Sequence, residues 1–304
     1  MVKPRSSKAS KSKRKDTQPK RKITFLMDVH SPASVDRIRE EWKKADLILL
    51  EMAPEEFELL TSKNPVELKG MLSGFESRLR KLLIEMKDKI IPIDNISLRK
   101  AHLSNMYTDP LVALLFKINR DLYMAKRVKD ALKKSDAKNV CITVGANHYL
   151  YHIIKRDLED QGAKVTRRFT FKGKLRYTPL AQLERYIFFN LLREGRVRDY
   201  DLENLSKRLK PDKSGLLTIP PEEFISMLPK EARELPRDKV EKLIYNFINE
   251  EEQMQKVIDD LASKGYSLEE ISEKITALKS WTDAWEKLKK EIEKTKAKQR
   301  TRKK

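Results

Sequence analysis

Five short apolar runs, each followed by a stretch with helical spacing, constrain this chain more than any other feature. They are ITFLMDVH (23–30), DLILLEMA (46–53), KIIPIDN (89–95), NVCITVGA (139–146) and AKVTRRFTF (163–171). Runs this brief read as strands. Between them, SPASVDRIREEWKKA places Val35, Ile38 and Trp42 at helical spacing behind Ser34, a residue type that caps helices. PVELKGMLSGFESRLRKLLIEMKD and DPLVALLFKINRDLYMAKRVKDALKKS are long and amphipathic, with Pro110 near the start of the second. NHYLYHIIKRDLEDQG predicts a helix closed by Gly162, a natural residue just past a helix end. Strands alternating with helices over 23–172 predict an α/β fold, a mostly parallel sheet with flanking helices. From about 180 the strand pattern stops. LAQLERYIFFNLLREG, PPEEFISML and the segments after them predict an all-helical C-terminal region, with a soft boundary at 173–180.

The net charge of +20 resembles a nucleic-acid binder until it is located. Residues 1–22 carry +9 and residues 289–304 carry +7, which leaves +4 for everything between. The expected organisation is a disordered basic tail over 1–22, an α/β domain over 23–172, a helical domain over 180–288 and a second basic tail over 289–304. Such tails bind RNA or DNA through salt-sensitive, non-specific contacts, or serve only as solubilising ends. A single cysteine excludes an internal disulfide framework. No apolar run reaches membrane-spanning length, and the basic N-terminus is followed by no signal-peptide core. The expectation is a cytoplasmic protein without membrane contact.

In parallel α/β sheets the ligand lies beyond the C-terminal strand ends. The first predicted strand ends in Asp28 and His30, the second in Glu51, the third in Asp94, and the fourth in Gly145, Asn147 and His148. A buried ionisable group is costly unless paired, and four successive strand ends carry such groups. Glu51 directly follows DLILL, where burial alone favours another apolar residue. Gly145 permits a tight turn, after which His148 is expected in the first helical turn, near N–H groups that favour an anion. His152 lies one turn later and is expected to pack among Tyr151 and Ile153. His102 has no functional context and is expected to be structural.

The order strand–His, strand–Glu, strand–Asp, helix with Arg, strand–Gly-x-x-His–helix resembles the superfamily that joins TraB/PrgY-type proteins, the Tiki metalloproteases, erythromycin esterase and the haem-binding ChaN proteins. LILLEMAPEEFELL is similar to the family's strand ending in Glu. NRDLYMAKRVKDAL is similar to its Arg-x-x-x-Met-Ala helix, with Arg120, Met124 and Ala125 on the matching positions. ITVGANHYLYHIIKRDLEDQGAKV matches its Gly-x-x-His segment. The resemblance covers about 23–170. It departs at the first motif, which reads MDVH where the family has Gly-x-x-His, and it lacks a long insertion before the Arg helix. It implies a hydrolase of peptides or esters with a site of His30, Glu51, Asp94, Arg120 and His148. On the Tiki pattern, His30, Glu51 and His148 would hold a divalent metal such as Mn, Co or Zn, with Arg120 on an anionic group or oxyanion. On the esterase pattern, His30 would be a metal-free base oriented by Glu51 or Asp94. A catalytically inactive domain serving as a nucleic-acid adaptor stays open beside both.

Two further motifs carry less. PDKSGLLTIPPEEF imitates an EF-hand loop, but aligning Gly215 to the loop glycine puts Lys210 and Pro221 at ligand positions, which excludes calcium. LASKGYSLEEISEKITALKSWTDAWEKLKKEIEK has the outline of a helix-turn-helix, although any helical hairpin shares it, and Trp281 and Trp285 read as core.

Overall fold

A computed structural model describes residues 21–62, 74–105, 110–171, 179–208, 219–238 and 240, with isolated positions beyond 255. The N-terminal and C-terminal tails, the EF-hand-like stretch and the helix-turn-helix-like stretch lie almost wholly outside these residues.

The five apolar runs form one parallel sheet. Its strands are β1 (Arg21–Asp28), β2 (Leu47–Leu50), β3 (Ile90–Pro92), β4 (Asn139–Gly145) and β5 (Ala163–Phe169), in the order β3-β2-β4-β1-β5. Every pairing is parallel. β1 starts at Arg21, inside the expected tail, because its guanidinium donates to the carbonyls of Leu132, Ser135 and Ala137. That ties the strand entry to the end of a long helix.

The central strands are buried on both sides, which accounts for their continuous apolar character. One face meets α1 (Val35–Trp42), α2 (Pro54–Thr61) and α3 (Gly74–Glu85); Leu26, Ile48, Leu50 and Cys141 pack there on Ile38, Trp42, Leu60 and Leu82. Trp42 is fully buried, and its Nε1 donates to Thr143 Oγ1 at 2.8 Å. The other face meets α5 (Pro110–Lys133) and α6 (Leu150–Asp160); Phe25, Leu49, Ile142 and Val144 pack there on Met124, Val128, Leu150 and Ile154. A further helix, α4 (Ile96–Asn105), precedes α5. Thus β1 and β2 send their connections to one face and β4 sends its connection to the other. Such divergence opens a crevice at the strand ends, here beside the end of β4.

Ser34 does not cap α1. A short 3-10 turn at Pro32–Ser34 precedes the helix, and Ser31 caps that turn instead, its side chain accepting from the Ala33 N–H at 3.3 Å. The Ser34 hydroxyl turns back to donate to the Ser31 carbonyl.

The C-terminal region is helical where described: α7 (Pro179–Arg193), α8 (Leu202–Ser206), α9 (Pro221–Met227) and α10 (Lys230–Arg233). These helices share a core with the first half of α5, where Leu114, Leu115 and Ile118 meet Ile187, Phe188, Leu191, Tyr200 and Phe224. Tyr149, immediately before α6, stacks on Phe188 with ring centroids 3.8 Å apart. Asn119 fastens the junction by donating to the Tyr200 carbonyl and accepting from the Leu202 N–H. The shared core predicts one cooperative unit across the boundary expected at 173–180. Phe188→Ala should cost about 3–5 kcal/mol and lower the midpoint of a single thermal transition. Two separated transitions, with only one of them shifted, would contradict the shared core.

Candidate active site

All five residues singled out from the sequence gather at the C-terminal edge of the sheet. Four of them form a continuous chain of charge. Arg120, on α5, is buried and grips Asp94 with two hydrogen bonds, Nε to Oδ1 at 2.8 Å and Nη2 to Oδ2 at 2.5 Å. The same Nη2 donates to Glu51 Oε1 at 2.6 Å. That oxygen lies 2.9 Å from His148 Nε2. Glu51 Oε2 accepts from the Gly145 N–H at 2.5 Å, which links the end of β2 to the end of β4.

The chain continues to Asp121, which the sequence reading passed over. Asp121 is wholly buried; one carboxylate oxygen bonds His148 Nδ1 and the other accepts from the Tyr149 N–H at 2.6 Å. This double hold keeps His148 and Tyr149 out of the helix, so α6 begins at Leu150 rather than around His148. A signal for Asp121 was present in the sequence. It sits on the apolar stripe Leu114, Ile118, Ala125, Val128, where helical spacing calls for another core residue.

Burial opposes a charge on His148, but Asp121 and Glu51 outweigh it and push the imidazole up from 6.5 to about 9. Burial would raise Glu51, yet His148, Arg120 and His30 hold it well below the usual carboxylate range. His148 is therefore an imidazolium at neutral pH with both nitrogens engaged by carboxylates.

His30 differs in kind. Its side chain is 59% exposed, and its backbone adopts the left-handed region at φ 55°, uncommon for a residue with a side chain. Its N–H donates to Asp28 Oδ2 at 2.9 Å, and Asp28 is buried and held through Oδ1 by the Thr170 hydroxyl at 2.7 Å. Asp28 Oδ2 lies 3.6 Å from His30 Nδ1. Met27, where the family pattern has glycine, is an ordinary buried strand residue, and the unusual backbone falls at the histidine itself. His30 Nε2 has no hydrogen bond to the described residues.

His30, Glu51 and His148 converge on Gly145. A Cβ there would lie 3.2 Å from His30 Nε2, 3.3 Å from Glu51 Oε2 and 3.3 Å from His148 Cδ2. As arranged, the His148 nitrogens and the Glu51 oxygens already serve other partners, so a metal held by the trio would have to displace those partners and the His148 proton. Among the described residues, no group of three or more His, Cys, Asp or Glu side chains is set to hold a metal ion. Of the other histidines, His152 packs edge-on against Tyr151 and Phe189. His102 is partly buried on α4, and burial with Lys117 and Arg120 nearby lowers it to about 3.

His30, Asp28, Glu51 and Arg120 line a cavity of about 540 Å³ whose other walls come from α1–α4. Compared with protein-family models, curated proteins and solved structures, the chain matches none. No helix among the described residues is long and apolar enough to cross a membrane.

Gly145→Ala would press a methyl group against His30, Glu51 and His148, the last two held by the buried hydrogen bonds of the chain. The expected result is a loss of about 1–3 kcal/mol in denaturant unfolding, with His30 displaced from the site. Unchanged stability would show the convergence to be looser than described.

Proposed function

We propose that the chain is a hydrolase of the TraB/Tiki-like superfamily, acting on ester or peptide bonds with His30 as a metal-free general base. The observation that carries this reading is the uncommitted Nε2 of His30, held beside Glu51 at the wall of the cavity. His148, by contrast, has no free nitrogen. In this reaction His30 Nε2 takes a proton from water as its oxygen attacks the carbonyl carbon. Arg120 Nη1 has no hydrogen bond to the described residues, and it faces the oxyanion that forms. The proton then passes from His30 to the departing alkoxide or amine, leaving an acid and an alcohol or amine. Asp28 and Glu51 position the base, and the buried chain from Asp94 to Asp121 keeps Arg120 and Glu51 from shifting.

The convergence on Gly145 favours the metal-holding pattern of the same superfamily as a second reading, with Mn, Co or Zn between His30, Glu51 and His148. A third reading, RNA or DNA binding through basic chain ends, draws on the +16 concentrated there and leaves the site unused.

A screen of p-nitrophenyl esters and peptide p-nitroanilides, with and without EDTA, separates the three. Turnover unaffected by EDTA and cut about 10²–10⁴-fold by His30→Ala is expected. Turnover lost in EDTA and restored by a divalent metal would transfer the site to the second reading. No turnover of any ester or peptide would remove the hydrolase.

A further inference from the structure

We infer that the substrate is an uncharged ester or amide with a long apolar acyl group, whose chain lies in the cavity beside His30; this rests on the hydrolase reading above. The cavity, about 540 Å³, falls within the range of sites that enclose a small molecule. Ile38, Trp42, Leu60, Phe75 and Leu79 wall it. An acetyl group would leave Leu59, Phe75 and Leu103, the apolar lining residues that reach solvent, in water, whereas a chain of about eight to ten carbons would cover them. The wall reaches the site directly, since the ring of Phe75 meets that of His30 edge-on at 5.4 Å.

The mouth repeats the chemistry of the wall. Four large apolar side chains stand exposed among the described residues. Leu59 (51% exposed) and Leu103 (48% exposed) line this cavity, and Val29 adjoins His30. Exposed apolar residues gathered at one opening mark a place where an apolar ligand enters.

Charge argues the substrate is neutral. The guanidinium groups that reach the cavity are already engaged by carboxylates, Arg120 by Glu51 and Asp94, and Arg99 by Glu56 at 2.5 Å. Asp28 adds a further acidic group to the lining. A phosphate or carboxylate headgroup would meet a lining in which Asp28, Glu51 and Glu56 outnumber Arg99 and Arg120. The same balance disfavours retention of the carboxylate product.

Two measurements on the full chain test this. The neutral fluorophore N-phenyl-1-naphthylamine should bind at about one per chain, be displaced by decanol but not butanol, and bind several-fold more weakly to Leu59→Ser/Leu103→Ser. Across p-nitrophenyl acetate to decanoate, kcat/KM should rise about fourfold for each methylene buried until the cavity is full. Leu60→Phe, checked for folding by circular dichroism, should move that plateau to a shorter chain. Absence of saturable fluorophore binding, or acetate turned over as fast as decanoate, would overturn the inference even if His30→Ala still abolished turnover. Decanol-sensitive binding without hydrolysis of any ester would uphold an apolar ligand here and remove the hydrolase reading instead.

Discussion

A single buried guanidinium organises this protein. Arg120 reaches from α5 to the ends of β2 and β3 and holds Glu51 and Asp94 together. Two carboxylates this close and this buried would repel each other without it. Glu51 then takes the Gly145 N–H, which adds β4, and His148, which leads back to α5 through Asp121. Three strand ends and one helix are closed into a loop of charge in which each group partners the next. Breaking a buried pair from one side commonly costs about 3–5 kcal/mol, so the loop is a rigid frame for the crevice, and its members have little freedom to serve as the reacting group.

That rigidity makes His30 stand out. It sits at the margin of the frame with an unusual backbone, an exposed ring and no hydrogen bond from Nε2 to the described residues. Non-glycine residues in the left-handed region cost of order 1–3 kcal/mol and gather at functional positions. Here the conformation is maintained by Asp28, itself fastened by Thr170 at the end of the neighbouring strand β5. The frame and the base meet at Gly145, where a Cβ would crowd both.

Much of this was legible in the sequence. The runs of β1, β2 and β4 announced strands because strands buried on both faces must be apolar throughout, while β5, AKVTRRF, is a partly exposed edge strand. Glu51 stood out because an ionised group does not follow an apolar run without a partner, and Arg120 because its helix resembles the family's Arg-x-x-x-Met-Ala pattern. Other parts were less visible. Asp121 lay next to Arg120 and was masked by it, although it interrupts the apolar stripe of α5. The late start of α6 depends on the hydrogen bonds that the Asp121 carboxylate accepts from Tyr149 and shares with His148, contacts across 28 and 27 residues that no local pattern records. Strand β1 begins within a basic tail because Arg21 finds three carbonyls at the end of α5. Helices α2 and α4, which wall the cavity, carry only weak local periodicity and take their place from packing over the strand ends.

The account turns on His148 being a clamped cation rather than a free imidazole, and NMR titration of the ring protons tests that most directly. The chain has four histidines, so His102→Gln, His152→Gln and His30→Gln variants assign the signals. Because the folded value lies above the ordinary one, the His148 signal should keep its imidazolium position through pH 6.5 and move only as the pH passes about 9. A His148 signal that titrates near 6.5 would contradict the charged frame, and would return His148 to the set of groups able to act as a base or to hold a metal.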